Sequence, residues 1–142
     1  RRYVRDHAAP INLAWGRDNR TTGLRIPVSE PESRRVENRL AGMDCNPYLG
    51  IAASLACGYV GLINEERPGP SFKGDTYATD DSDNPLPKAM YGALELFQGA
   101  SQVRDVLGER FCNTYEAVKR SEYDEFLQVI SPWEREHLLL NV

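Results

Sequence analysis

Residues 34–39 read RRVENR: two arginines and a valine, then an acid, an amide and a third arginine. In an extended chain side chains alternate between faces, which puts Arg35, Glu37 and Arg39 on one side and Arg34, Val36 and Asn38 on the other. Cation, anion and cation in a row on one face has two readings. One is a surface ladder with Glu37 clamped between guanidiniums, a common arrangement that contributes only about 0–1 kcal/mol per exposed pair. The other is a cradle for anionic ligands. Spacing alone does not separate them.

Just upstream, residues 19–25 (NRTTGLR) add Arg20 and Arg25 to the same short span. Their odd separation would send them to opposite faces of a regular strand, and Gly23 offers a bulge that could re-aim one of them. Four guanidiniums cannot converge in a dry site without anions between them, because repulsion and desolvation would be severe. A nucleotide triphosphate with a carboxylate substrate and a metal would neutralise them. Glu37 would then be a hard oxygen ligand for a magnesium ion bridging phosphates.

The surrounding pattern is strands first and helices after. Residues 11–17 (INLAWGR) and 24–28 (LRIPV) carry strand-forming residues with turn chemistry between them at Asn19 and Gly23. Residues 34–40 follow as a third extended piece after the Pro27–Pro31 corner. In DCNP (44–47), Asn46 reads as an N-cap and Pro47 as the first helical residue. Leu49, Ala52, Ala53, Ala56, Val60 and Ile63 then recur at helical spacing, and the small residues predict close packing against a neighbour. Residues 64–88, rich in Pro, Gly and acid, read as a surface excursion without regular structure. Helical pattern resumes near Pro87 and runs to the C-terminus, with breaks at Gly99 and Gly108. SPWE (131–134) is a helix start with a capping box between Ser131 and Glu134.

At 142 residues the chain suits one ordinary domain rather than two. It holds no apolar run long enough to cross a membrane and no secretory signal, so no membrane is expected among its partners. Its first residue is Arg1 rather than methionine, which suggests a piece of a longer polypeptide. The net charge of −4 hides an asymmetry: residues 1–40 hold nine arginines against five acids, and the remainder holds eight basic residues against sixteen acidic ones. An all-arginine basic third favours planar, bidentate grip on carboxylate or phosphate. The acidic balance and the absence of aromatics interleaved with the arginines disfavour a nucleic-acid-binding module. Cys45, Cys57 and Cys112 lack C-x-x-C spacing and read as free thiols of a reducing compartment, hence a cytoplasmic protein. Two histidines do not furnish a zinc cluster or a histidine-based triad.

Three motifs in order, N-R-x-x-x-x-R-I-P, R-R-V-E-x-R and D-x-N-P-Y-L-x-x-A-A-x-L, resemble the C-terminal part of the glutamine synthetase catalytic domain. The resemblance runs from about Arg2 through Gly61. WGRDNRTTGLRIPVS, VENRLAGMDCNPYL and the closing WEREHLLL lean towards the polyamine-directed branch, the gamma-glutamylputrescine synthetases.

The resemblance implies an α+β fold: an antiparallel strand piece of that catalytic domain over about 10–40, followed by several helices over about 46–63 and 87–140. Residues 1–142 would be its C-terminal portion. Residue by residue, Glu37 matches a metal ligand near the transferred phosphoryl group, and Arg39 and Arg2 match arginines that grip the glutamate carboxylate. Arg20 matches the catalytic residue that stabilises charge on the phosphoryl group in flight. Arg25 and Arg35 match arginines that contact nucleotide phosphates. Trp15, Pro27 and Asn46 match positions read as structural. The implied chemistry uses ATP and Mg2+ (or Mn2+) to phosphorylate glutamate, after which an amine displaces phosphate to leave a gamma-glutamyl amide. Small molecules would be its ligands, and a homo-oligomeric ring would share each site between subunits. This stretch alone is then expected to be inactive.

One departure bears on the amine. Where glutamine synthetases carry a loop glutamate in E-A-P, this chain has Ala8 before Ala9-Pro10. Losing the carboxylate that binds ammonium leaves room for a larger amine, with Asp6 or His7 as partial substitutes. The same drift fits a glutamine-synthetase-like protein kept for structure or regulation, and glutamine synthetase proper using ammonia is the other alternative. Elsewhere, Cys57 reads as packed within the first helix, His137 as a capping or surface histidine, and the acids at 80–83 as solvated loop rather than a calcium site.

Overall fold

The structure, a computed structural model, describes residues 9–78 and 85–139. It is α+β and falls into two compact units, one up to Ala89 and one from Met90 onward.

The first unit holds three short strands, β1 (Trp15–Arg17), β2 (Leu24–Ile26) and β3 (Glu37–Asn38), in the order β1-β2-β3. β2 and β3 are antiparallel, with Arg25 directly opposite Glu37 and Leu24 opposite Asn38. β1 runs parallel to β2, pairing Trp15 with Leu24 and Arg17 with Ile26, so the sheet is mixed where an antiparallel piece was expected. A parallel connection normally needs a dozen residues or more. Here the strands are only three residues long, so the chain must return roughly 10 Å, which residues 18–23 can span.

That connection is tightly bonded. Asp18 takes a positive φ of 48°, a conformation that aspartate tolerates better than most residues, and its N–H donates to the Ile26 carbonyl at 2.9 Å. Asn19 Oδ1 accepts from the Thr21 N–H at 3.0 Å, an Asx turn, and the fully buried Thr22 hydroxyl shares its one proton between the Asn19 and Leu24 carbonyls, 2.9 Å from each. Gly23 makes no bulge. A Cβ built there would lie 2.5 Å from the Asn12 carbonyl oxygen and 2.8 Å from Leu40 Cδ2, so its glycine permits close approach of the backbone.

Residues 64–78 lack regular structure, as their composition predicts, yet they are strapped to the sheet. The Trp15 indole donates to the Gly69 carbonyl at 2.9 Å, and the Phe72 N–H to the Trp15 carbonyl at 2.8 Å. Asn19 Nδ2 donates to the Gly74 carbonyl at 2.8 Å, and the buried Thr76 hydroxyl to the Thr21 carbonyl at 2.7 Å. The acidic run at 80–83 lies outside the described residues.

Helix α1 (Pro47–Ile63) begins where DCNP places it: Asn46 Oδ1 accepts from the Tyr48 and Leu49 N–H groups. Of its small-residue face, Ala56 and Val60 are buried while Ala52, Ala53 and Cys57 are exposed. The packed position predicted for Cys57 is therefore corrected. Its neighbours at 56 and 60 turn inward, whereas residue 57 lies about 100° further round the helix. Asn38 Nδ2 ties β3 to α1 through the Ser54 hydroxyl at 2.8 Å.

The second unit is helical: α2 (Met90–Gly99), α3 (Ser101–Leu107), α4 (Glu109–Leu127) and α5 (Pro132–His137). Gly108, at φ 91°, makes the break between α3 and α4 that a residue with a side chain would resist. The predicted capping box is present, with Ser131 Oγ accepting from the Glu134 N–H and Glu134 Oε2 accepting from the Ser131 N–H. His137 is exposed, stacked on Trp133 with its Nδ1 3.1 Å from the Trp133 carbonyl oxygen. Leu94 and Cys112 form the apolar centre, beside a buried Arg104.

Candidate functional site

The antiparallel register sets the first contact. Directly opposed residues on one face of a β pair meet side chain to side chain, and Arg25 Nη1 donates to Glu37 Oε2 at 2.7 Å. Arg35 precedes β3 and reaches the other oxygen, Nη2 to Oε1 at 3.3 Å. Glu37 thus sits between two guanidiniums, but the pair is Arg25 and Arg35, not Arg35 and Arg39. The shared face expected for residues 35, 37 and 39 assumed a strand longer than β3, which covers only two residues.

Arg39 turns elsewhere. Its N–H donates to the Gly23 carbonyl at 2.9 Å, and its Nη1 donates to the carbonyls of Arg20 and of Thr22, the latter at 3.2 Å. It braces the 18–23 connection through these three carbonyls. Arg20 is exposed on that connection, so the even-odd rule of a strand does not govern it. Arg2 and Ala8 lie outside the described residues.

Arg25 carries a second acid. Its Nη2 donates to Asp18 Oδ1, which leaves the guanidinium forked between Asp18 and Glu37 with its side chain 14% exposed. The Arg25 Nε is buried and makes no hydrogen bond among the described residues, so the hydrogen bonds that orient the guanidinium there come from the two Nη groups. The Arg25 hydrogen bond, reinforced by the charges of Arg25 and Arg35, holds the Glu37 carboxyl below the usual glutamate range against an opposing burial effect. The same bonds, to Glu37 first and Asp18 second, raise Arg25 further above its already high value.

Beside this cluster opens a cleft of about 790 Å³. Arg17, Asp18, Arg20 and Arg25 line it on the sheet side, and the strap 71–74 closes the far wall with Lys73. Four cations and one acid face a common space, which suits a polyanion. Arg17, Asp18 and Lys73 are additions to the residues singled out by sequence. Asp18 stands one residue from the N-R motif in WGRDNR, but only the positive φ of its backbone aims it back at β2. Lys73 lies in the strap, beyond all three motifs, and no local pattern marks it.

Among the described residues no group of three or more His, Cys, Asp or Glu could hold a metal ion. Glu37 is one hard oxygen donor at the edge of the cluster, with both oxygens engaged by arginine. The described residues therefore fit one corner of a divalent-metal site and would need ligands from elsewhere to complete it. Nor is any described helix long and apolar enough to cross a membrane.

Comparison with known proteins gives a consistent picture. A family model described as "Glutamine synthetase, catalytic domain" matches residues 1–138. The chain is 38% identical to gamma-glutamylputrescine synthetase PuuA of Escherichia coli K12 over 99% of its own length and 29% of PuuA's. It is 32% identical to a glutamine synthetase of Halobacterium salinarum, over 98% of this chain and 32% of the relative. Gamma-glutamylethanolamide synthetase GlnA4 of Streptomyces coelicolor shares 35% identity over 94% of this chain and 28% of its own length. Among solved structures, a GmaS/ADP complex superposes with a TM-score of 0.82 at 27% identity, over 96% of this chain and 33% of that one. The chain spans about a third of the length of the curated relatives it matches.

Proposed function

Because this chain belongs to the glutamine synthetase catalytic-domain family, we propose that it is the C-terminal portion of an ATP-dependent carboxylate–amine ligase. The ligase makes a gamma-glutamyl amide from glutamate and an amine, with a polyamine such as putrescine as acceptor. The observation that carries this reading is the Arg25–Glu37–Arg35 cluster, whose Arg25 also lines a cleft with Arg17, Arg20 and Lys73. Four cations facing one cleft match the phosphates of a nucleotide, and the GmaS relative of similar fold is an ADP complex.

In the proposed reaction the glutamate side-chain carboxylate attacks the γ-phosphorus of ATP, ADP leaves, and an acyl phosphate forms. The amine nitrogen then attacks the acyl carbon, phosphate departs, and the nitrogen loses a proton. Arg25 and Arg35 bind nucleotide phosphates, Arg20 faces the transferred group, and Arg39 with Arg2 takes the substrate carboxylate. A divalent ion (Mg2+ or Mn2+), held in part by Glu37, supplies Lewis-acid charge to the phosphates when bound. The residues themselves position and neutralise, the main tasks in phosphoryl transfer. A homo-oligomeric ring completing the site between subunits, and a cytoplasmic location, belong to the same proposal.

The polyamine preference rests on two supports: Ala8 in place of a loop glutamate, and the 38% identity to a putrescine-using relative. The test is phosphate release by the complete polypeptide with glutamate, ATP and a panel of ammonia, putrescine, spermidine, ethanolamine and an alkylamine. The expected result is turnover with putrescine or spermidine above that with ammonia. A strong ammonia preference overturns the acceptor assignment, and a lack of turnover with every amine of the panel overturns the ligase reading in favour of a structural role. Residues 1–142 alone are expected to show no amide formation.

A further inference from the structure

Asp18 lies just outside the three ordered motifs and matches no site residue there, yet it has a definite place in the site. It is the one acid among the described residues that line the cleft, against Arg17, Arg20, Arg25 and Lys73. Its backbone is pinned at φ 48° by the N–H bond to Ile26, at the point where β1 ends and the connection turns back. That turn aims its carboxylate at Arg25 Nη2, while Glu37 holds Nη1 from the opposite strand. Nε is buried without a hydrogen bond among the described residues, so these two acids are the hydrogen-bond acceptors there that orient the guanidinium. Each Nη group keeps a second hydrogen free of both acids, and it is this outer edge that the fork can present to the cleft.

We propose that Asp18 is a positioning residue for Arg25: its side-chain oxygen orients the guanidinium towards the cleft, and its charge restrains the cleft's affinity for anions. The inference rests on the reading of this cleft as a nucleotide-phosphate site. Its two halves separate chemically. An asparagine has an oxygen in the same place and also tolerates positive φ, so it keeps the orientation and removes the charge. A glycine fits the same φ without strain and removes both.

The experiment compares wild type, Asp18→Asn, Asp18→Gly and Arg25→Ala in the complete polypeptide, reading kcat and the KM for ATP with the best amine of the panel. Asp18→Gly is expected to lower kcat about tenfold through a misaimed guanidinium. Asp18→Asn is expected to recover most of that kcat and to lower the KM for ATP about threefold, an effect that shrinks as salt is raised. Arg25→Ala is expected to raise the KM for ATP at least tenfold. If Arg25→Ala raises that KM while both Asp18 variants behave as wild type, the role of Asp18 is refuted and the nucleotide site stands. If Asp18→Asn is as impaired as Asp18→Gly, orientation by a side-chain oxygen is refuted. An unchanged KM for ATP in Arg25→Ala refutes the site and the inference together. Asp18 is 56% exposed, and thermal unfolding of each variant checks that the fold is retained.

Discussion

Arg25 and Glu37 are direct partners across β2 and β3, joined by a 2.7 Å hydrogen bond from Nη1 to Oε2. The bond holds the carboxylate against Arg25, which lines the cationic cleft, and leaves Arg35 to engage its second oxygen. Glu37→Gln keeps the side-chain shape and one acceptor oxygen but removes the charge. In the complete polypeptide this variant is expected to lose metal-dependent turnover by about a hundredfold or more, with an unchanged far-UV spectrum. Turnover within a few-fold of wild type would remove Glu37 from the proposed metal site.

The pH dependence of the same pair has a definite sign. Arg25 holds the Glu37 pKa below its unfolded value, so the bond's contribution to stability is fully present above that value, about 4.3 for a free glutamate. It is lost as the pH falls through the lower, folded value. The melting-temperature difference between wild type and Glu37→Gln is therefore expected to be constant from neutral pH down to about 5 and to close below about 4. A difference that widens in acid would contradict the depressed pKa.

Gly23 tests how closely the sheet is built. A methyl group there meets the Asn12 carbonyl oxygen at 2.5 Å, and that backbone cannot retreat easily because the Ala14 N–H is bonded to the Asn12 side chain and the Leu24 N–H to the Ala14 carbonyl. Gly23→Ala is expected to destabilise the fold by about 1–3 kcal/mol, as overpacking does, measured by urea denaturation. Because the Gly23 carbonyl also receives the Arg39 N–H, the variant should lower kcat by displacing the connection that carries Arg20.

The sequence exposes some of this architecture and hides the rest for physical reasons. Asn46, Pro47, Gly108, Ser131 and Glu134 act through neighbours a few residues away, so capping and break chemistry locates α1, the α3–α4 junction and α5 from local pattern. Arg20, Arg25, Arg35, Glu37 and Arg39 are visible as a cluster because they fall within twenty residues. Their pairing is not visible, since it depends on the register of β2 with β3 and on a strand of only two residues. Alternation over six residues therefore predicts the wrong partner for Glu37. The parallel β1–β2 pairing, the strap that brings Lys73 to the cleft and the positive φ of Asp18 arise from tertiary hydrogen bonds, which leave no periodic trace.

Cys112 is fully buried, and burial raises its thiol pKa above the ordinary value, so the reactive thiolate is doubly suppressed. Cys45 and Cys57 are exposed in this chain. Iodoacetamide labelling followed by peptide mass spectrometry is expected to leave Cys112 unmodified under native conditions and to modify it fully in denaturant. Native labelling of Cys112 at the rate of a free thiol would contradict its placement in the helical unit.

Arg104 supplies the final test, because it holds three helical turns together from a buried position. Its Nε and Nη2 grip Glu109 at 3.3 and 2.8 Å, Nη2 also reaches Asn113 Oδ1 at 2.5 Å, and Nη1 lies 3.5 Å from Glu116 Oε2. Its guanidinium carbon stands 5.5 Å from the centre of the Phe97 ring, which joins α2 to the cluster. Glu116 is nearly buried and keeps Arg120 as a second partner, whereas Glu109 is largely exposed. Arg104→Met preserves the aliphatic stem but strands the Glu116 carboxylate with one partner, and removing one member of a buried pair is costly in a way that removing both is not. The single variant is expected to melt several degrees below wild type and to expose Cys112 to labelling, since the Cys112 thiol lies 3.8 Å from the Arg104 carbonyl. The double variant Arg104→Met, Glu116→Gln should recover part of the lost melting temperature. A double variant no more stable than Arg104→Met would mean that packing of the arginine stem, not the stranded charge, holds the helices.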